Sequence, residues 1–319
     1  MDKLSVRLSE KDIVSWLLEG DVSIQYQVHR DLLGVEKPEL QKRIATEGWG
    51  AQFLSFRKKE GHWGRGFYQV KWISSHYSLL DLKHLNISPN IPEIKESILQ
   101  IAHNHKSDDG GINPHRDYRG NPDSDLCING MFLNYACYFR IDEGMLKSVV
   151  DCIIQHQMPD GGFNCRINRS GAVHSSLHTT ISVLEGLREY KKNGYTYRLD
   201  ELEKIAAESR EFILMHRLYK SDKTGEVIHK KFTMLSYPSR WFYDILRALD
   251  YFQFAKVDYD PRMQDALDIL KKKRRKDGKW PVQAKHAGQI HFEMESLREP
   301  SRWNTLRALR VLKHFGITL

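Results

Sequence analysis

The chain repeats itself, and this limits the available folds more than any other feature. Five glycine-bearing segments recur: GHWG at 61–64, DDGGI at 108–112, PDGGF at 159–163, DKTGEV at 222–227 and KDGKW at 276–280. From Gly61 through Gly111, Gly162 and Gly225 to Gly278, the steps are 50, 51, 63 and 53 residues. Each segment follows a stretch with helical apolar spacing, such as ESILQIAHNH or QDALDILKKKRR. A glycine just past a helix suits the left-handed conformation that strains other residues. The hydrophobe close behind it (Trp63, Ile112, Phe163, Val227, Trp280) is placed to fold back onto the helix just left.

A second helical series interleaves with the first, at 22–33, 71–82, 123–139, 174–187, 238–252 and 300–315. PSRW opens two of these segments, 62 residues apart. With an opening helix near 9–19, the spacing predicts twelve helices in six pairs. Helix pairs at this period stack into a solenoid or close into a ring, and six is a number at which a ring closes. The expected fold is therefore all-α, a single (α/α)6 toroid over 1–319. The charge-rich helix of each pair lies outside and the more apolar one lines the interior.

The composition, with 40% hydrophobic and 28% charged residues in 319, is ordinary for a globular chain. Mean hydropathy is −0.56 and no apolar run is long enough to span a bilayer. The start, MDKLSVRLSEKD, has no apolar signal region, and four cysteines in so long a chain read as free thiols. Both point to a cytoplasmic protein. The net charge of +8 serves solubility or an anionic partner. KKKRRKDGK at 271–279 reads as the solvated end of an outer helix, where the helix dipole favours cations. No nucleic-acid signature accompanies it, and the chain has no P-loop, G-x-S-x-G or G-x-G-x-x-G. Nucleic acid is not an expected partner.

Links from inner to outer helices are short, and links from outer to inner helices are long. The long links gather where inner helices begin, so a site is expected at that N-terminal mouth, where free N–H groups favour anions. Three basic–Trp dipeptides fall there: Lys71-Trp72, Arg240-Trp241 and Arg302-Trp303. His76 follows the first by one turn, Tyr237 precedes the second, and His174 and His178 flank the start of the fourth inner helix. Read functionally, indoles and cations hold an apolar small molecule ending in an anionic group. Read structurally, Trp seals helix pairs and Arg caps loop carbonyls.

The DGGF and DGKW segments, the six-pair period and the helix order resemble the terpenoid cyclase and protein prenyltransferase superfamily over nearly the whole chain. Squalene–hopene-type cyclases carry D-x-D-D-T at the third inner helix, with a protonating Asp in the middle. This chain reads Asp123-Ser124-Asp125-Leu126-Cys127, with Leu126 in place of the last Asp. The resemblance implies that Asp125, with Asp123, is catalytic; helix capping is the plainer reading of both. Prenyltransferase β subunits carry D-x-C there and a His on the next inner helix, which implies zinc held by Asp125, Cys127 and His178. An ordinary buried thiol is the alternative for Cys127.

The implied function is a cyclase-like or prenyltransferase-like protein that binds or transforms an isoprenoid or its diphosphate in a central cavity. Two rivals stand beside it. Many glycosidases and polysaccharide lyases are (α/α)6 toroids, and Asp123, Asp125, His76, His178, Tyr237, Arg240 and Arg302 suit an anionic sugar. The third reading is a binding toroid without chemistry.

Overall fold

A computed structural model describes residues 10–114, 124–165 and 170–317. These are mostly helical. The named strands are two residues each, Trp280–Pro281 paired antiparallel with Pro300–Ser301. No helix among the described residues is long and apolar enough to cross a membrane.

The helices are α1 (Glu10–Leu18), α2 (Val22–Gln27, continued by a π turn Val28–Leu32), α3 (Pro38–Arg43), α4 (Gly48–Ser55), α5 (Ser75–His84), α6 (Pro92–Asn104), α7 (Leu126–Tyr138), α8 (Glu143–Gln155), α9 (Leu177–Lys192), α10 (Leu199–Met215), α11 (Ile245–Phe254), α12 (Gln264–Lys272) and α13 (Arg302–His314). The second outer segment is broken into α3 and α4, with Gly48 at φ +58 at the restart. The fifth inner segment was expected to be helical from 238. Its helix starts only at Ile245, because Asp244 caps it by accepting from Arg247 N–H. Arg240 and Trp241 therefore lie in the preceding loop, with Arg240 at φ +57. Lys71 and Trp72 lie in a 3₁₀ turn ahead of α5.

The glycine repeat is one turn made five times. Lys58, Ser107, Met158 and Arg275 each donate their N–H to the carbonyl four residues on, at 2.8–3.0 Å, and each accepts from a glycine N–H three residues on. Ser221 makes the same turn with one extra residue. The left-handed glycines are Gly61, Gly110, Gly161, Gly225 and Gly278. They lie beyond the helix end in a turn of their own, rather than at the helix cap, and in the paired glycines it is the first that turns. The second, Gly111 or Gly162, has no room for a side chain: a Cβ would come within 2.1 Å of Ser124 Oγ or 2.7 Å of Ser175 Cβ.

Next, the chain folds back as expected at most copies. Trp63 Nε1 donates to Phe53 O and Trp280 Nε1 to Leu270 O, both at 2.7 Å and both ten residues earlier. Val227 differs: it is exposed. The backbone N–H of Trp63, Ile112, Phe163 and Trp280 is accepted by Ser75, Asn129, Thr180 and Thr305, each on the following inner helix. The repeat thus positions every inner helix it precedes, except α11.

Along the inner series α5 packs on α7, α7 on α9, α9 on α11, α11 on α13, and α13 on α2 and its π turn. Gln27 Nε2 donates to His84 O, which joins α2 to α5. The α7–α9 contact is the most extensive and depends on glycine: a Cβ on Gly186 would lie 2.4 Å from Gly130 O. The two ends of the chain also meet. Arg302 donates to Trp16 O at 3.1 Å, and Arg310 donates to Asp31 at 2.9 Å.

Candidate functional site

The described structure brings the expected residues into two places and adds a third that sequence reasoning did not find.

The first is the start of α5 together with the loop before α11, which is covered by protein among the described residues. The segment following Trp280 lies across it. Trp72 Nε1 donates to Ala287 O at 2.6 Å, and a Cβ on Gly288 would lie 2.3 Å from the Trp72 ring. His286 stacks on Phe242 at 3.7 Å and Phe242 on Trp241 at 3.9 Å. Lys71 Nζ lies over the Trp72 and Trp241 rings. His76 is fully buried beside Tyr135 OH (3.3 Å), and His291 Nε2 meets Ser78 Oγ at 3.0 Å. Burial pushes His76 and His286 down to about 3, and His178 and His291 to about 4, so all four are neutral at pH 7.

The cations expected to bind a ligand here have protein partners. Arg240 pairs with Asp81, and both are buried. Arg302 lies over the Trp16 ring at 4.6 Å. His174 is exposed, and its carbonyl accepts from Asn164.

The second place is the start of α7. Asp123 lies outside the described residues. Asp125 occupies the N-cap position, but its side chain bonds none of the first N–H groups, so capping does not account for it. The Cys165 thiol lies over this helix start: Sγ accepts from Cys127 N–H at 3.0 Å and from Thr179 Oγ1 at 3.5 Å. Burial works to raise its pKa; the hydrogen bonds from Cys127 and Thr179 outweigh this, and the net shift is downward.

The zinc triad implied by the resemblance is not assembled. His178 Nδ1 accepts Tyr243 N–H at 2.8 Å, amid the rings of Phe232, Trp241 and Phe242. Thr179, one residue further on, is what reaches Cys165. On a helix that one-residue step turns a side chain by about 100°. Among the described residues no three His, Cys, Asp or Glu side chains converge as metal ligands. Asp125, Cys127 and His178 do not fit the ion.

The third place is a cavity of about 1450 Å³ lined mainly by the C-terminal halves of the inner helices and by α10. Tyr237, Ser239, Tyr251 and Trp303 are buried aromatic and hydroxyl lining, and Trp303 stacks on Tyr237 at 4.9 Å and on Trp49 at 6.2 Å. Glu36, Lys191, Lys192, Lys256 and Asp258 are exposed lining residues at the other extreme.

Its walls are charged. Arg310 grips Asp250 with two bonds of 2.6 Å and reaches Asp31 with a third, while Arg307 Nε donates to Asp250 at 3.2 Å. Arg247 makes a two-pronged pair with Glu185 at 2.9 and 2.7 Å. Burial would raise the Glu189 carboxyl, but Lys83 and Arg188 overcome it and hold it at about 2. Lysines and arginines outnumber carboxylates along the lining. The helix dipole explains cations in a last turn, such as Lys83 and Lys192. It does not explain Arg247, Arg307 and Arg310, which lie within their helices.

These cavity residues carry a sequence signal of their own. Arg247 and Asp250, and Arg307 and Arg310, are charges three apart in LRALD and LRALR, on segments otherwise apolar enough to be placed inside. A charge pair at that spacing marks one face of a helix. Here that face lines the cavity.

No protein-family model matches the chain, and no curated protein matches it significantly.

Proposed function

We propose that the chain is a single α/α toroid, of the architecture found in terpenoid cyclases and protein prenyltransferases, that binds a hydrophilic, negatively charged small molecule in its central cavity. The ring reading is supported by the succession of contacts among α2, α5, α7, α9, α11 and α13, which returns from the last inner helix to the first. The outer partners α1, α4, α8, α10 and α12 each touch an inner helix, and the repeated glycine turns space them.

The observation that carries the ligand class is the excess of lysines and arginines over carboxylates along this wall. A prenyl chain gains about 25 cal/mol per Å² only when it leaves water for apolar surroundings. Here it would strip water from exposed lining charges such as Lys191, Lys192 and Lys256, which opposes binding. A ligand with hydroxyls and a carboxylate or phosphate replaces that water with equivalent bonds. Among the readings weighed from the sequence, this favours the acidic-sugar type of ligand over the isoprenoid. The volume also exceeds the roughly 300–1,000 Å³ of ordinary small-molecule pockets, which suits an extended ligand.

The test is calorimetric titration with trigalacturonate, maltotriose and farnesyl diphosphate. The expected order is trigalacturonate first, with affinity falling as salt rises and lost in Arg307→Met. Binding of farnesyl diphosphate with no response to either saccharide overturns the reading.

A further inference from the structure

We propose that Cys127 and Cys165 form an oxidisable thiol pair that closes to an intramolecular disulfide. The pair is independent of the cavity ligand and sits at the other, N-terminal end of the inner helices.

Cys127 is the second residue of the 13-residue helix α7, and Cys165 comes shortly after the third glycine turn, 38 residues on. The Cys165 sulfur lies 3.0 Å from the backbone nitrogen of Cys127, within reach of that residue's own thiol. Cys165 Sγ also receives the Cys127 N–H and the Thr179 hydroxyl. Donors directed at a sulfur at a helix N-terminus favour the thiolate, which is the attacking form. Lys71 lies close enough to act electrostatically on Cys127 and Asp125.

The remaining cysteines lack this arrangement. Cys137 and Cys152 are wholly buried, and Cys152 Sγ is engaged with Ser124 Oγ and His156 Nδ1. Cys127 and Cys165 are residues of intermediate exposure, unlike the other two.

The oxidant is a hydroperoxide. The Cys165 thiolate attacks its terminal oxygen, and the O–O bond breaks. With hydrogen peroxide the leaving hydroxide takes up a proton as water, and Cys165 becomes a sulfenic acid. The Cys127 sulfur then attacks the Cys165 sulfur and loses its proton, and the sulfenic hydroxyl leaves as a second water. Two thiols thus give up two electrons to one peroxide, and a dithiol reductant reverses the change. The new bond ties the first turn of α7 to the segment that leads into α9.

The experiment treats the folded protein with stepwise hydrogen peroxide, then alkylates it in denaturant and maps the peptides by mass spectrometry. The expected product is one Cys127–Cys165 linked peptide pair that dithiothreitol restores, with Cys137 and Cys152 still alkylatable. Cys127→Ser should trap a dimedone adduct on Cys165. Cys165→Ser should leave Cys127 unmodified at the same dose. If either variant fails to fold, the wild-type map decides alone. Persistence of both thiols at doses that already oxidise Cys137 or Cys152, or linkage only between chains, overturns the proposal.

Discussion

Arg240 and Asp81, 159 residues apart in the chain, form an ion pair with side chains only 6% and 3% exposed. Burial pushes the Asp81 carboxyl up to about 6 against the pull of Arg240. The arginine of the first PSRW segment thus joins the loop before α11 to α5 instead of meeting solvent.

Removing one partner strands a buried charge, whereas removing both does not. Asp81→Ala should lose about 3–5 kcal/mol in urea unfolding. The double variant Asp81→Leu with Arg240→Met should lose clearly less. Equal losses in the two would mean that water reaches Arg240 once Asp81 is gone.

Gly186→Ala sets two effects of opposite sign against each other. In an isolated helix interior the change gains about 1 kcal/mol. In α9 the added carbon meets Gly130 O at 2.4 Å, with backbone on both sides. Such overpacking costs about 1–3 kcal/mol, so the expected outcome is a net loss of up to about 2 kcal/mol by chemical denaturation. Gly130→Ala, whose Cβ would meet Ser182 O at 2.5 Å, should behave alike. A stabilised variant would show that α7 and α9 can separate freely.

Gly288→Ala tests whether the segment after Trp280 closes the N-terminal mouth. Gly288 has φ +141, and its added carbon would strike the Trp72 ring. The segment should lift, with greater acrylamide quenching of tryptophan fluorescence and a loss of about 1–3 kcal/mol. Unchanged quenching would mean that the Trp72 contact is not what holds this segment.

Glu295 should give the protein an unusual pH response. Burial pushes its carboxyl from 4.5 up to about 7, although it accepts Trp303 N–H at 3.1 Å. The folded state therefore holds the proton more tightly than the unfolded state. The stabilisation is fully present below about pH 4.5 and is lost as pH rises through 7. The buried histidines act oppositely: with folded values of about 3–4, they lose stability as pH falls below 6.5. Glu295→Gln isolates the carboxyl. Its Tm relative to wild type should be higher at pH 8 than at pH 5, and a flat difference would contradict the assignment.

Much of the helix order was legible because it rests on local chemistry. Gly61, Gly110, Gly161, Gly225 and Gly278 can adopt a positive φ cheaply, and Trp63 and Trp280 need only reach ten residues back. Local rules placed Arg302 and Trp303 at the start of a helix, and the structure agrees. The same rules failed at Arg240 and Trp241, where Asp244 wins the cap and starts α11 later. They also failed at His178, since Thr179 differs from it by a single helical step and either reading satisfies the apolar spacing.

The sequence by itself determined the helical class, the repeat and the alternation of charge-rich with apolar helices, because these follow from neighbours within a turn or two. Only the tertiary structure decided which charges meet. Arg310 finds Asp250 and Asp31, 60 and 279 residues away, and Cys165 reaches the first turn of α7. It also decided that the segment after Trp280 covers the start of α5 and that the wall of the large cavity carries charged side chains. Those outcomes depend on distances between segments remote in the chain, and no local propensity encodes such distances.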